Sequence, residues 1–117
     1  MRPGILIIED DDDAREVLQM SLEAEGQSVR VAANGDDGIA LAAASRPDVV
    51  FIDLGLPGLD GFEVARRLRA LLGTSVRLIA LTGHGRTEDR EATAAAGFDG
   101  HLMKPIGADA IIALLAA

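Results

Sequence analysis

The stretch Ile5-Leu6-Ile7-Ile8-Glu9-Asp10-Asp11-Asp12-Asp13 decides the fold, because an unbroken apolar run leads directly into an unbroken run of acids. A strand that is apolar at every position is typical of a parallel sheet with helices on both faces. Further short β-branched or aliphatic runs occupy residues 28–32, 49–52, 76–81 and 98–103. Longer Ala- and Leu-rich segments separate these runs, so the sequence predicts alternating strands and helices, with the strands paired in parallel.

The segments between the strands carry helix signals. An apolar stripe at helical spacing follows the acid run and consists of Ala14, Val17, Leu18, Ser21 and Leu22. Asp60 and Glu63 resemble a capping box at the start of a helix over residues 61–72. The last helix is predicted over residues 108–117. We therefore expect an α/β fold with five strands and five helices in a single domain, residues 1–117.

Composition and charge exclude several classes of function. The 117 residues suit about one domain, and the absence of cysteine excludes disulfides and thiolate zinc sites. A net charge of −8 without Trp or Tyr disfavours direct binding of nucleic acid. The longest apolar run, residues 110–117, is far shorter than the ~20 residues that cross a bilayer, and no export signal is visible. We expect a cytoplasmic domain without membrane insertion.

Polar side chains follow four of the five predicted strands. These are Glu9 and Asp10 after the first strand, Asp53 after the third, Thr82 after the fourth and Lys104 after the fifth. Ligands of open parallel sheets bind beyond the carboxyl ends of the strands, where the strand order reverses. If the second strand lies at the edge and the first and third are neighbours, all of these side chains converge on one pocket.

The charges in such a pocket favour a divalent cation. Two carboxylates 4 Å apart repel by roughly 4 kcal/mol at an effective dielectric constant of about 20, and Lys104 offsets only one of the three negative charges. Oxygen donors completed by water suit Mg²⁺. A cation beside a carboxylate, a lysine and a threonine hydroxyl is the equipment for binding a phosphoryl group.

Several motifs at consistent spacing carry a family resemblance. They are residues 5–11 (ILIIEDD), residues 53–61 (DLGLPGLDG), residues 81–83 (LTG) and Lys104-Pro105. Over essentially its whole length the chain resembles the receiver domain of two-component response regulators. The resemblance implies a flavodoxin-like three-layer αβα sandwich in strand order 2-1-3-4-5. It also implies transfer of a phosphoryl group from a phosphohistidine to one aspartate, with Mg²⁺ as cofactor.

The resemblance implies roles for the residues around the metal. Asp53 would be the phosphoacceptor and a Mg²⁺ ligand, and Asp10 would bind Mg²⁺ directly. Glu9 would act through a metal-bound water, and the backbone carbonyl of Gly55 would be a further ligand. In the rest of the acid run, we expect Asp12 or Asp13 to be the N-cap of the first helix and Asp11 to be a solvated loop residue.

The resemblance also implies roles around the phosphoryl group. Thr82 would bond one phosphoryl oxygen and act in the switch, and Lys104 would pair with another oxygen. The Lys104–Pro105 peptide resembles the family's cis bond. His101 stands where the family often has an aromatic ring that moves with the threonine, so it is either a titratable switch ring or a polar surface residue.

The implied partners are a histidine kinase or a histidine phosphotransfer domain. Phosphorylation would shift the face of the fourth helix, fifth strand and fifth helix and so control a partner or an attached domain. The chain would be a monomer or a weak phosphorylation-dependent dimer. It would catalyse its own phosphorylation and slow dephosphorylation rather than a metabolic reaction. Residues 80–85 and 96–105 look most like receivers of hybrid sensor histidine kinases, so the chain is either a stand-alone regulator or a fragment.

Three other functions fit parts of the pattern. A Mg²⁺-dependent phosphatase with an aspartate nucleophile generally needs a second acid two residues later, where this chain has Gly55. Gly55 also leaves an aspartyl phosphate less shielded from water, although His84 is placed to compensate. A pseudo-receiver that works without phosphorylation would not need the acid pair and Asp53. Flavin binding on the same fold is disfavoured by the acidic pocket and the absence of Trp and Tyr.

Overall fold

The computed structural model describes residues 4–83, 90–104 and 106–116. Its strands are β1 (Gly4–Ile8), β2 (Ser28–Ala32), β3 (Val49–Asp53), β4 (Arg77–Thr82) and β5 (Gly100–Met103). The helices within these residues are α1 (Asp12–Ala24), α2 (Gly35–Ser45), α3 (Gly61–Leu72), α4 (Arg90–Ala96) and α5 (Ala108–Ala116). The predicted alternation of strand and helix is confirmed.

The strands form one parallel sheet in the order β2-β1-β3-β4-β5, which confirms the predicted order. Ile8 at the end of β1 lies between Ala32 of β2 and Ile52 of β3. β2 and β3 therefore pair with opposite edges of β1, and the strand order reverses at β1. The residues that follow β1 and β3 face the crevice at which the strand order reverses.

The core has two layers, one on each face of the sheet. Leu6 and Ile8 of β1 belong to the layer beneath α2, α3 and α4, and Ile5 and Ile7 belong to the layer beneath α1 and α5. All four side chains are at most 2% exposed. Burial of an aliphatic side chain of this size contributes about 1.5–3 kcal/mol. Coverage on both faces explains why β1 carries no polar residue.

The start of β5 differs from the prediction. This strand begins at Gly100 rather than at position 98, because Asp99 exchanges two hydrogen bonds with Leu78 of β4. The amide of Asp99 donates to the Leu78 carbonyl at 2.7 Å, and the Asp99 carboxylate accepts from the Leu78 amide at 2.9 Å. Phe98 instead packs edge-to-face against Phe62, with their ring centroids 6.5 Å apart.

The first helix begins one or two residues earlier than expected. The N-cap of α1 is Asp11, whose carboxylate accepts from the Ala14 amide at 3.0 Å. The prediction of Asp12 or Asp13 as the cap is therefore wrong, and both lie in the first turn of α1. Three consecutive aspartates are chemically equivalent caps, and the length of the loop after β1 decides between them.

Candidate functional site

The carboxyl ends of β1, β3 and β4 bring the predicted site residues to one edge of the sheet. Glu9 directly follows β1, Asp53 ends β3 and Thr82 ends β4. The Lys104 amide donates to the Thr82 carbonyl at 2.9 Å, so backbone pairing beyond the end of β5 holds Lys104 beside them. The structure thus brings these four residues to one edge of the sheet, and their roles there stay predictions.

An ion pair joins the buried acids. Lys104 Nζ lies 2.5 Å from Glu9 Oε1 and 3.4 Å from Asp53 Oδ1. Glu9 is fully buried and Asp53 is 7% exposed, whereas the Lys104 side chain is 29% exposed. A single ammonium group therefore bridges two carboxylates that have almost no access to water.

The pKa values at the site follow from burial and from this shared cation. Burial raises the pKa of Glu9 to about 7, the neighbouring Asp53 adds to the rise, and Lys104 opposes it. Burial also favours the neutral form of Asp53, yet its contacts with Glu9, the Gly55 amide and Lys104 lower its pKa overall. Burial disfavours the charged form of Lys104, but the two carboxylates hold its pKa above the ordinary value. Asp53 is therefore the carboxylate that stays ionised at neutral pH.

Two backbone features fix the position of Asp53. The Gly55 amide donates to Asp53 Oδ1 at 3.0 Å, on the same oxygen that faces Lys104. At Gly61, the first residue of α3, a Cβ atom would lie 2.5 Å from the carbonyl oxygen of Asp53. Only a residue without a side chain allows α3 to approach this closely. The proposed role of the Gly55 carbonyl remains a prediction.

The three acids can hold a cation together. One carboxylate oxygen each from Glu9, Asp10 and Asp53 lies within 4.8 Å of the others, and Asp10 is exposed to solvent. Carboxylate oxygens with access to water are the donors that Mg²⁺ prefers. The donor set therefore fits Mg²⁺, and Asp10 is the acid at which water and ligand can enter.

Thr82 and His101 lie on the two last strands, β4 and β5. The Thr82 hydroxyl is buried and donates to the Leu102 carbonyl at 3.4 Å. His101 is half-buried on β5, in register with Ala80 of β4. His84 and Pro105 lie outside the described residues, so the compensating role of His84 and the cis peptide bond stay predictions.

One residue next to the acids was not predicted. Arg15 in the first turn of α1 donates from Nη1 to the Glu9 carbonyl at 2.9 Å, and its Nη2 pairs with Asp12 Oδ1 at 2.5 Å. Cations usually avoid the positive end of a helix, so an arginine two residues after the acid run was the available signal.

A cavity of about 240 Å³ opens beside the ion pair, lined by residues that include Glu9, Asp13, Val17, Lys104 and Ile106. It lies between the ion pair and the side chains of α1. A larger groove of about 540 Å³ lies elsewhere, between Arg15, the end of β2 and α2. Among the described residues, no helix is both long enough and apolar enough to cross a membrane.

Comparisons with known proteins agree with this geometry. The sequence profile of the response regulator receiver domain matches residues 5–116. The transcriptional regulatory protein AfsQ1 of Streptomyces coelicolor is 40% identical over 104 residues, and the match covers 89% of this chain and 45% of that protein. This chain therefore spans less than half the length of that relative.

Two solved structures are also similar. The chemotaxis protein CheY4 of Vibrio cholerae superposes with a TM-score of 0.92 at 25% identity and covers 99% of this chain and 98% of its own. The receiver domain of the sensor histidine kinase PA1611 from Pseudomonas aeruginosa gives a TM-score of 0.88 at 32% identity, covering 98% and 95%. That structure has a magnesium ion coordinated in its active-site cleft.

Proposed function

This chain belongs to the response regulator receiver domain family of two-component signalling, and we propose that it accepts a phosphoryl group on Asp53 with the help of Mg²⁺. The observation that carries this proposal is the meeting of Glu9, Asp10, Asp53 and Lys104 at one edge of the sheet. The donor is a phosphohistidine of a histidine kinase or of a histidine phosphotransfer domain. The magnesium ion in the similar PA1611 receiver supports the same metal here.

The nucleophile is the carboxylate of Asp53. Its lowered pKa keeps it ionised at neutral pH, and the Gly55 amide and Lys104 together orient it. A carboxylate oxygen forms a new bond to phosphorus while the donor's phosphorus–nitrogen bond breaks, and the imidazole keeps the electron pair. No other side chain forms a covalent bond in this step. The rate of phosphoryl transfer therefore depends mainly on how the reacting groups are positioned and how their charge is stabilised.

The cation would be held by Asp10 and Asp53 directly, by Glu9 through water and by the Gly55 carbonyl. Bound Mg²⁺ supplies positive charge that offsets the phosphoryl oxygens and aligns them with the acceptor. Glu9 contributes a fully buried carboxylate that Lys104 already balances. Asp10 contributes the exposed carboxylate at the mouth of the site.

Lys104 and Thr82 respond to the new phosphate. Lys104 moves its ammonium from Glu9 and Asp53 toward a phosphoryl oxygen, which keeps the charge paired. The Thr82 hydroxyl exchanges its long 3.4 Å bond to Leu102 for a shorter bond to phosphate. The exchange favours phosphate because a hydrogen bond to a charged acceptor is about twice as strong as one to a neutral acceptor.

The movement of Thr82 is the link to signalling. Its resting partner, Leu102, and the candidate switch residue His101 both belong to β5. Displacement of Thr82 therefore acts first on β5 and through it on the face formed by α4, β5 and α5. That face controls a partner or an attached domain, in a chain that is a monomer or a weak phosphorylation-dependent dimer.

The test is to incubate the chain with acetyl phosphate and Mg²⁺ and to weigh it. We expect the wild-type chain to gain one phosphoryl group. No phosphoryl group should be gained when excess EDTA is present from the start, or in the Asp53→Asn variant. The matched control Asp36→Asn, at the exposed start of α2, should gain one as the wild type does. Phosphorylation of the Asp53→Asn variant would refute the proposal. Rapid turnover of many phosphate esters would indicate a phosphatase, and an unmodified wild-type chain would indicate a pseudo-receiver.

A further inference from the structure

Arg15 joins the start of α1 to the end of β1. Its Nη1 donates to the Glu9 carbonyl at 2.9 Å, and its backbone amide donates to the Asp11 carbonyl at 2.9 Å. Its side chain is 19% exposed, in contrast to the 85% exposed side chain of Asp12 with which it pairs. Arg15 is therefore folded back onto the loop that carries the acids rather than extended into water.

This placement has an electrostatic cost that its contacts must offset. Arg15 lies in the first turn of α1, where the helix dipole disfavours a positive charge. The ion pair with Asp12 and the hydrogen bond to the Glu9 carbonyl offset this cost, and the carbonyl lies just beyond the last residue of β1. The Glu9 amide still pairs with the Ala32 carbonyl at 3.1 Å, so Arg15 holds the residue on its other side.

We propose that Arg15 is a positioning residue for the metal site, which it serves by fixing the peptide plane between Glu9 and Asp10. The peptide unit is planar, so holding the Glu9 carbonyl also fixes the amide nitrogen and Cα of Asp10. Asp10 is exposed to solvent, so the plane of the peptide that precedes it is one of the constraints on its position. The proposal rests on the Mg²⁺ site of the proposed function.

If Arg15 positions the metal ligands, its removal should change the Mg²⁺ affinity in the opposite direction from the change expected if only its positive charge matters. Removing a positive charge near an acidic site strengthens the binding of a cation through Coulomb attraction alone. Removing a positioning residue weakens it, and loss of groups that orient metal ligands typically costs about 10–100-fold in affinity. The sign of the change in Mg²⁺ affinity therefore separates the two explanations.

The experiment measures Mg²⁺ affinity by titration calorimetry for the wild-type chain, Arg15→Gln, Arg15→Lys and the control Arg66→Gln. Arg66 is an exposed arginine of α3 that pairs with Glu63, so its loss matches the change in net charge without touching the acid loop. We expect about tenfold weaker binding in Arg15→Gln, about threefold in Arg15→Lys, and a change of less than about twofold in the control.

Amide hydrogen exchange in the metal-free protein gives a second readout. The Asp11 amide donates to Glu9 Oε2 at 3.3 Å, so it reports the order of the loop before any ion binds. We expect its exchange to be several-fold faster in Arg15→Gln than in the wild type, with amides of the sheet unchanged. If Arg15→Gln does not fold, the comparison of Arg15→Lys with the wild type tests the proposal. Arg15→Lys keeps the positive charge and loses only the planar guanidinium group.

Equal or tighter Mg²⁺ binding in Arg15→Gln would overturn the inference while leaving the proposed function intact. A wild-type chain that binds no Mg²⁺ would instead refute the proposed function. In that case the Asp11 exchange rate still decides whether Arg15 orders the loop, and an unchanged rate would reject that as well.

Discussion

Lys104 bridges the two buried carboxylates, so its replacement tests the electrostatic account of the site directly. Lys104→Met removes the ammonium and keeps a side chain of similar length. Nζ lies 2.5 Å from Glu9 and 3.4 Å from Asp53, so both acids lose their nearest cation in the variant. We expect the metal-free variant to unfold more readily than the wild type.

The size of the loss follows from burial and from protonation. Removing one partner of a buried ion pair costs about 3–5 kcal/mol when the other charge stays ionised. Two features reduce this cost: Lys104 is 29% exposed, and Glu9, with a pKa of about 7, readily takes up a proton. We therefore expect a loss of about 2 kcal/mol in the free energy of unfolding near pH 8.

The loss depends on pH with a defined sign. Burial raises the pKa of Glu9 from 4.5 to about 7, so the folded chain binds this proton more tightly than the unfolded chain. The stability linked to that proton is fully present below pH 4.5 and is lost as the pH rises through 7. In the variant at about pH 5.5 Glu9 is protonated, and the expected loss falls below about 1 kcal/mol.

The assay is urea unfolding followed by circular dichroism, since the chain has no Trp or Tyr for fluorescence. It is run at both pH values, with and without Mg²⁺. Mg²⁺ should restore most of the lost stability, and it should bind the variant at least about tenfold more tightly, because a competing charge is gone. A loss that is equal at both pH values, or larger at the lower one, would refute the reasoning.

Three further substitutions test other parts of the structure. Gly61→Ala should lower the free energy of unfolding by about 1–3 kcal/mol and slow phosphorylation, because its Cβ would meet the backbone of the strand-end aspartate. Arg69→Ala should cost about 2–3 kcal/mol in urea unfolding, because it removes hydrogen bonds to the carbonyls of Val76 and Gly97 and to the Asp99 carboxylate. Asp11→Ala should cost about 1 kcal/mol in metal-free urea unfolding, through loss of the helix cap.

Each of these has a matched control. Gly100→Ala adds a Cβ at an ordinary 3.6 Å from Ile79 and should leave phosphorylation unchanged. Arg66→Ala removes an exposed ion pair and should cost less than about 1 kcal/mol. Asp13→Ala should be milder than Asp11→Ala. If a control changes the measured quantity as much as its test variant does, the mechanism given for that residue is rejected.

Much of the fold and most of the candidate site could be predicted from the sequence. The apolar run in β1 predicts a strand covered on both faces. The polar residues after the strands predict that the site lies at the carboxyl edge of the sheet. These signals work because side-chain period and strand ends are local properties of the chain. The polar residues after the strands and the expected strand order together predict that Asp53 and Lys104 share one pocket, and Lys104 Nζ lies 3.4 Å from Asp53 Oδ1.

Other features depend on three-dimensional distances that the sequence does not encode locally. The choice of Asp11 as the cap depends on how far the chain travels after β1. The start of β5 depends on the hydrogen bonds between Asp99 and Leu78, which are far apart in sequence. The closer approach of Lys104 to Glu9 than to Asp53 depends on side-chain packing that only the folded sheet defines.

Arg69 gathers its hydrogen bonds at the amino ends of β4 and β5, through Val76, Gly97 and Asp99. Thr82 and Lys104 lie at the opposite, carboxyl ends of the same two strands, beside the acids that follow β1 and end β3. The hydrogen bonds of Arg69 and the residues around Asp53 therefore lie at opposite edges of the sheet. Substitutions around Arg69 should therefore change the free energy of unfolding while leaving the affinity for Mg²⁺ unchanged.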